Sequence, residues 1–143
     1  MNTRENMVGY NCIMVYSPDK RRILMCRRVK DPYKGLYNLV GGHIEAGELG
    51  EAAAYRELSE ETGITDADIT LKHLMDFTYY NQGCYVEVWC GRLKHEVAVV
   101  DEANPLVWLE LDRDFFSMEH FAGEGNIGHM LEQVKQFGEG YLD

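Results

Sequence analysis

Several features that define other protein classes are missing from the sequence. It has no run of about twenty apolar residues, so we expect no transmembrane helix and no membrane partner. Residues 1–7 are polar and mixed in charge, and they lack the apolar centre of a signal peptide. The four cysteines form no CxxC pair and lie in apolar, strand-like runs: Cys12, Cys26, Cys84 and Cys90. We therefore expect buried free thiols and a cytoplasmic location.

Basic residues are also scarce. The chain has 14 lysines and arginines against 24 acidic residues, for a formal net charge of −10. Proteins that follow a nucleic-acid backbone need a basic surface, so we expect no polymeric nucleic acid as partner. The same charge repels a phosphorylated small molecule unless cations lie between the two. Residues 42–64 concentrate the acids around a single base, Arg56, and these acids are Glu45, Glu48, Glu51, Glu57, Glu60 and Glu61.

The hydrophobic pattern predicts one α/β domain over residues 1–143, with helices on both faces of a mixed β-sheet. Residues 8–16 and 23–28 are predicted to form a hairpin around the turn at 17–20. A second hairpin is predicted for 69–80 and 84–94, in which Val88 and Cys90 share one face and Trp89 the other. Residues 106–111 are expected to add a further short strand.

Two helices are predicted. The first runs from 50 to 62, with Gly63 as its C-terminal cap, and its start is weakly marked because Leu49 cannot cap it with a side chain. The second runs from 127 to 137, with Asn126 as the expected N-cap. Its predicted inner face carries Ile127, Met130, Leu131 and Val134.

Three glutamates of the first helix are spaced so that they share one face. Glu57, Glu60 and Glu61 stand at positions i, i+3 and i+4, and their like charges repel one another. A divalent cation bound among them would remove that repulsion, and oxygen ligands favour Mg²⁺ or Mn²⁺. The alternative is an ordinary solvated helix face, on which Arg56 pairs with Glu60. The triplet alone leaves both interpretations open.

The surrounding residues extend the triplet to a longer motif. Gly42, five residues, Glu48, seven residues and then 56–64 reproduce the pattern G-x5-E-x7-R-E-U-x-E-E-x-G-U, where U is aliphatic. A chance match of its seven fixed identities is rarer than about one in a million. In this motif the chain resembles the Nudix hydrolases of the MutT-like kind. The resemblance implies an α/β/α sandwich and hydrolysis of a diphosphate bond in a nucleotide-like substrate.

The same resemblance implies roles for the residues of the motif. Its glutamates hold Mg²⁺ (or Mn²⁺) together with the carbonyl of Gly42, and one of them polarises the attacking water. Glu48 and Arg56 pair and support the loop. The implied catalytic residues are Glu48, Arg56, Glu57, Glu60 and Glu61, and the implied metal ligands are Gly42, Glu57, Glu60 and Glu61.

Substrate recognition is expected outside the motif. Asn38 and the pair Asp101 and Glu102 resemble the base-reading residues of the oxidised-purine nucleoside triphosphatases, since amides and carboxylates match purine edges. The chain departs from that branch at Tyr37, where a tryptophan is usual, and in the spacing of 105–108. Glu102 has a second interpretation, as a metal ligand or general base.

We therefore expect hydrolysis of a nucleoside triphosphate, with an oxidised purine as one candidate, to the monophosphate and pyrophosphate. Dinucleoside polyphosphate hydrolysis and a non-catalytic, nucleotide-sensing module are the alternatives. The resemblance disfavours ADP-ribose, because the family members that act on it carry a proline soon after the motif, whereas this chain has none between Pro32 and Pro105. The expected partner is a small nucleotide, and the protein is expected to be a monomer or a homodimer.

Overall fold

The computed structural model describes residues 6–102 and 104–143, which form seven strands and two α-helices. The strands are β1 (Val8–Tyr16), β2 (Arg22–Arg27), β3 (Tyr37–Asn38), β4 (His43–Ile44), β5 (Lys72–Tyr79), β6 (Cys84–Arg92) and β7 (Leu106–Glu110). The helices are α1 (Gly50–Thr62) and α2 (Asn126–Phe137), and a short 3₁₀ helix follows at Glu139–Leu142. In the described ranges no helix is long and apolar enough to cross a membrane.

The sheet is mixed, as predicted. Its order is β3-β2-β1-β6-β5, with β4 added beside β1 and β7 beside β2. β1 and β6 run parallel over their whole length, whereas the other pairs are antiparallel. Two hydrophobic clusters cover opposite faces: one contains Met130 and Val134 of α2, and the other contains Ala54 and Leu58 of α1. The fold is therefore an open sheet between two helices.

The predicted hairpin of β1 and β2 is confirmed only at its turn. The strands pair at Tyr16 and Ile23, and Ser17 donates its backbone N–H to the carbonyl of Arg22. Beyond that point they separate, because β2 pairs with β7 and β3 while β1 pairs with β6 and β4. The separation lets the segment 40–44 lie along β1, where the backbone N–H of Ile13 donates to the carbonyl of Val40. This contact positions the loop that precedes α1.

The second predicted hairpin is confirmed. β5 and β6 pair antiparallel from Lys72 and Cys90 to Tyr79 and Cys84, around a turn at residues 80–83. The alternation along β6 is also confirmed, because Val88 and Cys90 lie in the cluster beneath α2. Trp89 lies in the cluster beneath α1. Successive residues of β6 therefore face α1 and α2 in turn.

The predicted cap of α2 is wrong. The helix begins at Asn126 itself, and Gly125 occupies the N-cap position with a φ of +90° and no side-chain hydrogen bond. Asn126 instead donates from Nδ2 to the hydroxyl of Tyr79 at 2.8 Å. On the predicted inner face of α2, the side chains of Ile127, Met130 and Val134 are buried and that of Leu131 is half-buried.

Candidate active site

Helix α1 has one buried side and one acidic side. Ala54 and Leu58 are fully buried against the sheet, and this anchoring turns the glutamates of the last two turns away from the core. The helix ends at Gly63, whose φ of +81° suits a glycine and whose N–H bonds to the carbonyl of Ser59 at 2.9 Å. The predicted helix, its weak start at Leu49 and its glycine cap are confirmed.

Arg56 connects α1 to the loop before it. Its guanidinium donates to Glu48 from Nε at 2.8 Å and from Nη2 at 3.0 Å, and Nη2 also reaches the carbonyl of His43 at 2.9 Å. These bonds raise the pKa of Arg56 and lower the pKa of Glu48. The predicted pairing of Glu48 with Arg56 is confirmed, and it fixes the loop against the helix.

The same guanidinium contacts two of the three clustered glutamates. Its Nη1 lies 3.1 Å from Glu57 Oε1 and 3.2 Å from Glu60 Oε2. The pairing of Arg56 with Glu60, one of the two interpretations of the sequence, is therefore present. A single guanidinium serves three carboxylates here, so the cluster keeps an excess of negative charge.

Glu61 contacts the loop before α1. Its Oε2 accepts a hydrogen bond from the backbone N–H of Gly41 at 3.2 Å. Burial raises its pKa to about 7 together with the charges of Glu57 and Glu60, although the Gly41 N–H and the charge of Arg28 oppose the shift. A cation beside this carboxylate would offset the cost of burying its charge.

Gly42 leaves space for the carboxylate of Glu57. A Cβ at position 42 would lie 2.5 Å from Glu57 Oε2, so a larger residue would displace that side chain. The three carboxylates and the carbonyl of Gly42 offer oxygen atoms, which are the ligands that Mg²⁺ and Mn²⁺ prefer. The residues therefore fit a divalent cation in their chemistry.

The described side chains do not form a closed cage for a cation. Within 6–102 and 104–143, no group of three or more acidic, histidine or cysteine side chains lies close enough together to hold one. Glu57 and Glu60 turn to Arg56, and Glu61 turns to Gly41. The three carboxylates, which were predicted to converge, therefore turn to two different partners.

The predicted base readers lie at one end of β2. Asn38 pairs with Cys26 on one side of that strand, and Leu106 pairs with Cys26 on the other. Asp101 joins this row because its Oδ1 accepts from the N–H of Leu106 at 3.2 Å. Asn38 Oδ1 accepts from the N–H of Leu39 at 2.8 Å, and Asp101 and Glu102 are exposed. The row spans two strand spacings, about 10 Å.

A cleft of the described structure lies apart from this site. Its volume is about 800 Å³, and α2, the turn after β1 and the segment 111–116 surround it. Leu131 and Lys135 of α2 line it together with Lys20, Arg113 and Phe116. It contains none of the glutamates of α1.

Asn11 also lies beside these residues, although it was not predicted from the sequence. It lies on β1 beside Gly42 and accepts the Gly42 N–H through Oδ1 at 2.9 Å. A polar residue within the apolar run of β1 is a signal that could have indicated it.

Most of the chain matches the model of one protein family. Residues 5–121 match the family model described as NUDIX domain, which is more than half of the chain. The chain belongs to the NUDIX family. Nudix hydrolases act on nucleotide-like substrates and generally use a divalent metal.

Known Nudix proteins similar to this one differ in what they act on. An ADP-ribose pyrophosphatase of Methanocaldococcus jannaschii is 46% identical over 43 residues, which are 30% of this chain and 25% of that protein. The chain thus matches only a quarter of that relative's length. The solved structure of a C. elegans Ap4A hydrolase has a TM-score of 0.74 at 22% identity, over 94% of this chain and 100% of that one.

A further structural neighbour comes from a study of MutT from Aliivibrio salmonicida and Vibrio cholerae. It has a TM-score of 0.71 at 22% identity, over 92% of this chain and 99% of that one. At this identity the two structural matches establish the fold and leave the substrate open.

Proposed function

We propose that this Nudix protein is a Mg²⁺-dependent (or Mn²⁺-dependent) nucleoside triphosphate pyrophosphohydrolase that releases a monophosphate and pyrophosphate. The observation that carries the proposal is the acidic side of α1, where Glu57 and Glu60 share one guanidinium and the partly buried Glu61 accepts from the backbone N–H of Gly41. A cluster of this kind repels phosphates by itself and attracts them once it holds a divalent cation.

The residues that would hold the cation are the three glutamates and the carbonyl of Gly42. When bound, a divalent cation screens the phosphate charges and makes water more acidic. Arg56 and Glu48 keep the loop and the helix together, so that Gly42 stays beside Glu57. Their role is positioning, whereas the glutamates act at the reacting atoms.

The reaction is a displacement at phosphorus. The oxygen of a water molecule bonds to the α-phosphorus, and the bond from that phosphorus to the bridging oxygen breaks, which releases pyrophosphate. A glutamate takes the proton of the attacking water. Glu61 suits this role because burial raises the pKa of its carboxyl group to about 7. Glu102 is the second candidate base, since it lies in the exposed segment before β7.

We assign recognition of the base to Asn38, Asp101 and Glu102. Their support is the row across β3, β2 and β7 that brings Asn38 and Asp101 to the same end of the sheet. A purine, with an oxidised purine among the candidates, offers the donors and acceptors that an amide and carboxylates read.

We further infer that residues 1–143 form a single domain in the cytoplasm. The net charge of −10 supports a small nucleotide as partner in place of a polymeric nucleic acid.

The test is a substrate panel at saturating Mg²⁺ and at saturating Mn²⁺. It contains purine and pyrimidine nucleoside triphosphates, an oxidised purine triphosphate, a dinucleoside tetraphosphate and ADP-ribose, with products separated by ion-exchange chromatography. The proposal expects the highest kcat/KM with a purine triphosphate, and pyrophosphate as product.

Preference for ADP-ribose or the dinucleoside tetraphosphate would replace the proposed substrate while leaving the hydrolase in place. The ADP-ribose arm is motivated by the 43-residue match to an ADP-ribose pyrophosphatase. Nucleotide binding without turnover of any compound would favour the sensing module instead.

A further inference from the structure

One side chain beside the acidic cluster has a donor group without a partner. Asn11 on β1 exposes only 3% of its surface. Its Oδ1 accepts the Gly42 N–H, whereas Nδ2 has no hydrogen-bond partner in the described structure. Buried amide groups are nearly always paired, because an unpaired one loses the hydrogen bonds that water gave it. The position therefore points to an oxygen acceptor that binds beside the turn.

The Gly41–Gly42 turn lies between Asn11 and the glutamates. Asn11 holds Gly42 at two points, since its backbone N–H also donates to the carbonyl of Gly42 at 2.8 Å. On the other side of the turn, Gly41 donates to Glu61 at 3.2 Å and Gly42 packs against the carboxylate of Glu57. A shift of Asn11 therefore changes the position of both carboxylates.

We propose that Asn11 is a positioning residue of the cation site. It fixes the turn through Oδ1, and its Nδ2 donates to a water molecule held beside Glu57 and Glu61. The inference rests on the proposed function, because it needs a cation among the glutamates. An amide suits both tasks since it places an acceptor and a donor on two atoms, whereas a carboxylate provides acceptors alone and adds charge.

The test uses Asn11→Leu and Asn11→Asp. Leucine removes both polar groups, whereas aspartate keeps the acceptor for the Gly42 N–H and removes the donor. Mn²⁺ affinity is measured by electron paramagnetic resonance of the free ion, which does not depend on activity, and kcat, KM and the Tm in EDTA are measured alongside. We expect Mn²⁺ affinity and kcat of Asn11→Leu to fall about 10- to 100-fold.

Asn11→Asp separates the two parts of the proposal. We expect its Tm in EDTA to lie nearer the wild-type value than that of Asn11→Leu, because the Gly42 N–H keeps an acceptor. We expect its kcat to stay at least about 10-fold below wild type, because the donor is missing. If Asn11→Leu does not fold, Asn11→Ser removes the same amide without adding bulk.

Val15→Ala is the matched control. Val15 is fully buried on the same strand, in the cluster beneath α1, and its truncation creates a cavity. We expect a lower Tm with unchanged Mn²⁺ affinity and kcat, measured well below that Tm.

Two results would overturn this proposal alone. Wild-type Mn²⁺ affinity and kcat in Asn11→Leu would reduce Asn11 to a packing residue and leave the proposed function standing. Wild-type kcat in Asn11→Asp would remove the donor role. A wild-type protein that binds no Mn²⁺ would instead defeat the proposed function, and this inference with it.

Discussion

Arg56 donates two hydrogen bonds to the carboxylate of Glu48, from Nε at 2.8 Å and from Nη2 at 3.0 Å. The two residues are eight positions apart, one on the helix and one on the loop before it. Nη1 of the same guanidinium faces Glu57 and Glu60. The planar guanidinium of Arg56 therefore positions both the loop before the helix and two of the helix's glutamates.

Replacement of Arg56 should reduce stability and activity together. Lysine keeps the charge but cannot make the two-point contact with Glu48, so we expect Arg56→Lys to lower the Tm and to lower kcat about 10-fold or more. The matched control is Arg22→Lys, because Arg22 pairs with Glu110 at 3.4 Å on an exposed edge. Equal effects of the two substitutions on kcat would contradict the positioning role of Arg56.

Neutralising the glutamates should separate activity from stability. We expect Glu57→Gln, Glu60→Gln and Glu61→Gln each to lower kcat on the order of 10²-fold. Thermal stability should hold, because each change keeps the side-chain shape and the loss of like-charge repulsion offsets the weaker contact of Arg56 with Glu57 or Glu60. Glu51→Gln is the control, since Glu51 is exposed in the first turn of α1. Near-wild-type rates in all three variants would mean that the triplet is a solvated face.

The raised pKa of Glu61 makes the metal-free protein sensitive to pH. The pKa is about 7 in the folded chain against an ordinary value of 4.5, so the folded state binds this proton more tightly than the unfolded state. The resulting stabilisation is complete below about pH 4.5 and is lost as pH rises through 7. In EDTA, the Tm of wild type should therefore fall relative to that of Glu61→Gln between pH 5 and pH 8.5. Parallel curves would show that Glu61 does not titrate in this range.

Substrate ranking should depend on Asn38 and Asp101. Asn38→Asp and Asp101→Asn keep the oxygens that accept the N–H groups of Leu39 and Leu106, so the local backbone is preserved. We expect both to flatten the preference for purine over pyrimidine triphosphates, at roughly 1–3 kcal/mol per lost contact. Asn38→Ala and Asp101→Ala should do the same with an added loss of Tm. An unchanged ranking would reject the purine pocket.

Glu102→Ala distinguishes the two roles considered for that residue. A changed ranking across the nucleotide panel marks a base reader, whereas a uniform drop in kcat marks a metal ligand or general base.

Metal dependence and product identity should stay constant in the Asn38 and Asp101 variants, because neither residue belongs to the glutamate cluster.

Local features of the fold could be predicted from the sequence, because their causes are local. The glycine at position 63 ends α1, the turn at 80–83 forms the second hairpin, and alternation along β6 assigns its two faces. The spacing of Glu48 and Arg56 also predicted their ion pair. Each of these depends on residues close together in the chain.

The remaining features depend on residues far apart in sequence. The parallel pairing of β1 with β6 joins residues more than seventy positions apart, and no local pattern encodes that partner. Asn126 does not cap α2 as predicted, because Gly125 occupies the N-cap position and the side chain of Asn126 donates to Tyr79. Asn11 reaches the acidic site only because β1 and β2 separate and admit Gly42.

The central claim is that the glutamates of α1 act through a divalent cation. It is tested most directly by following hydrolysis of the best substrate of the panel, first in excess EDTA and then after Mg²⁺ or Mn²⁺ is added beyond the chelator. The account predicts no turnover in EDTA and full recovery after the metal is added. Robust turnover in excess EDTA would contradict it.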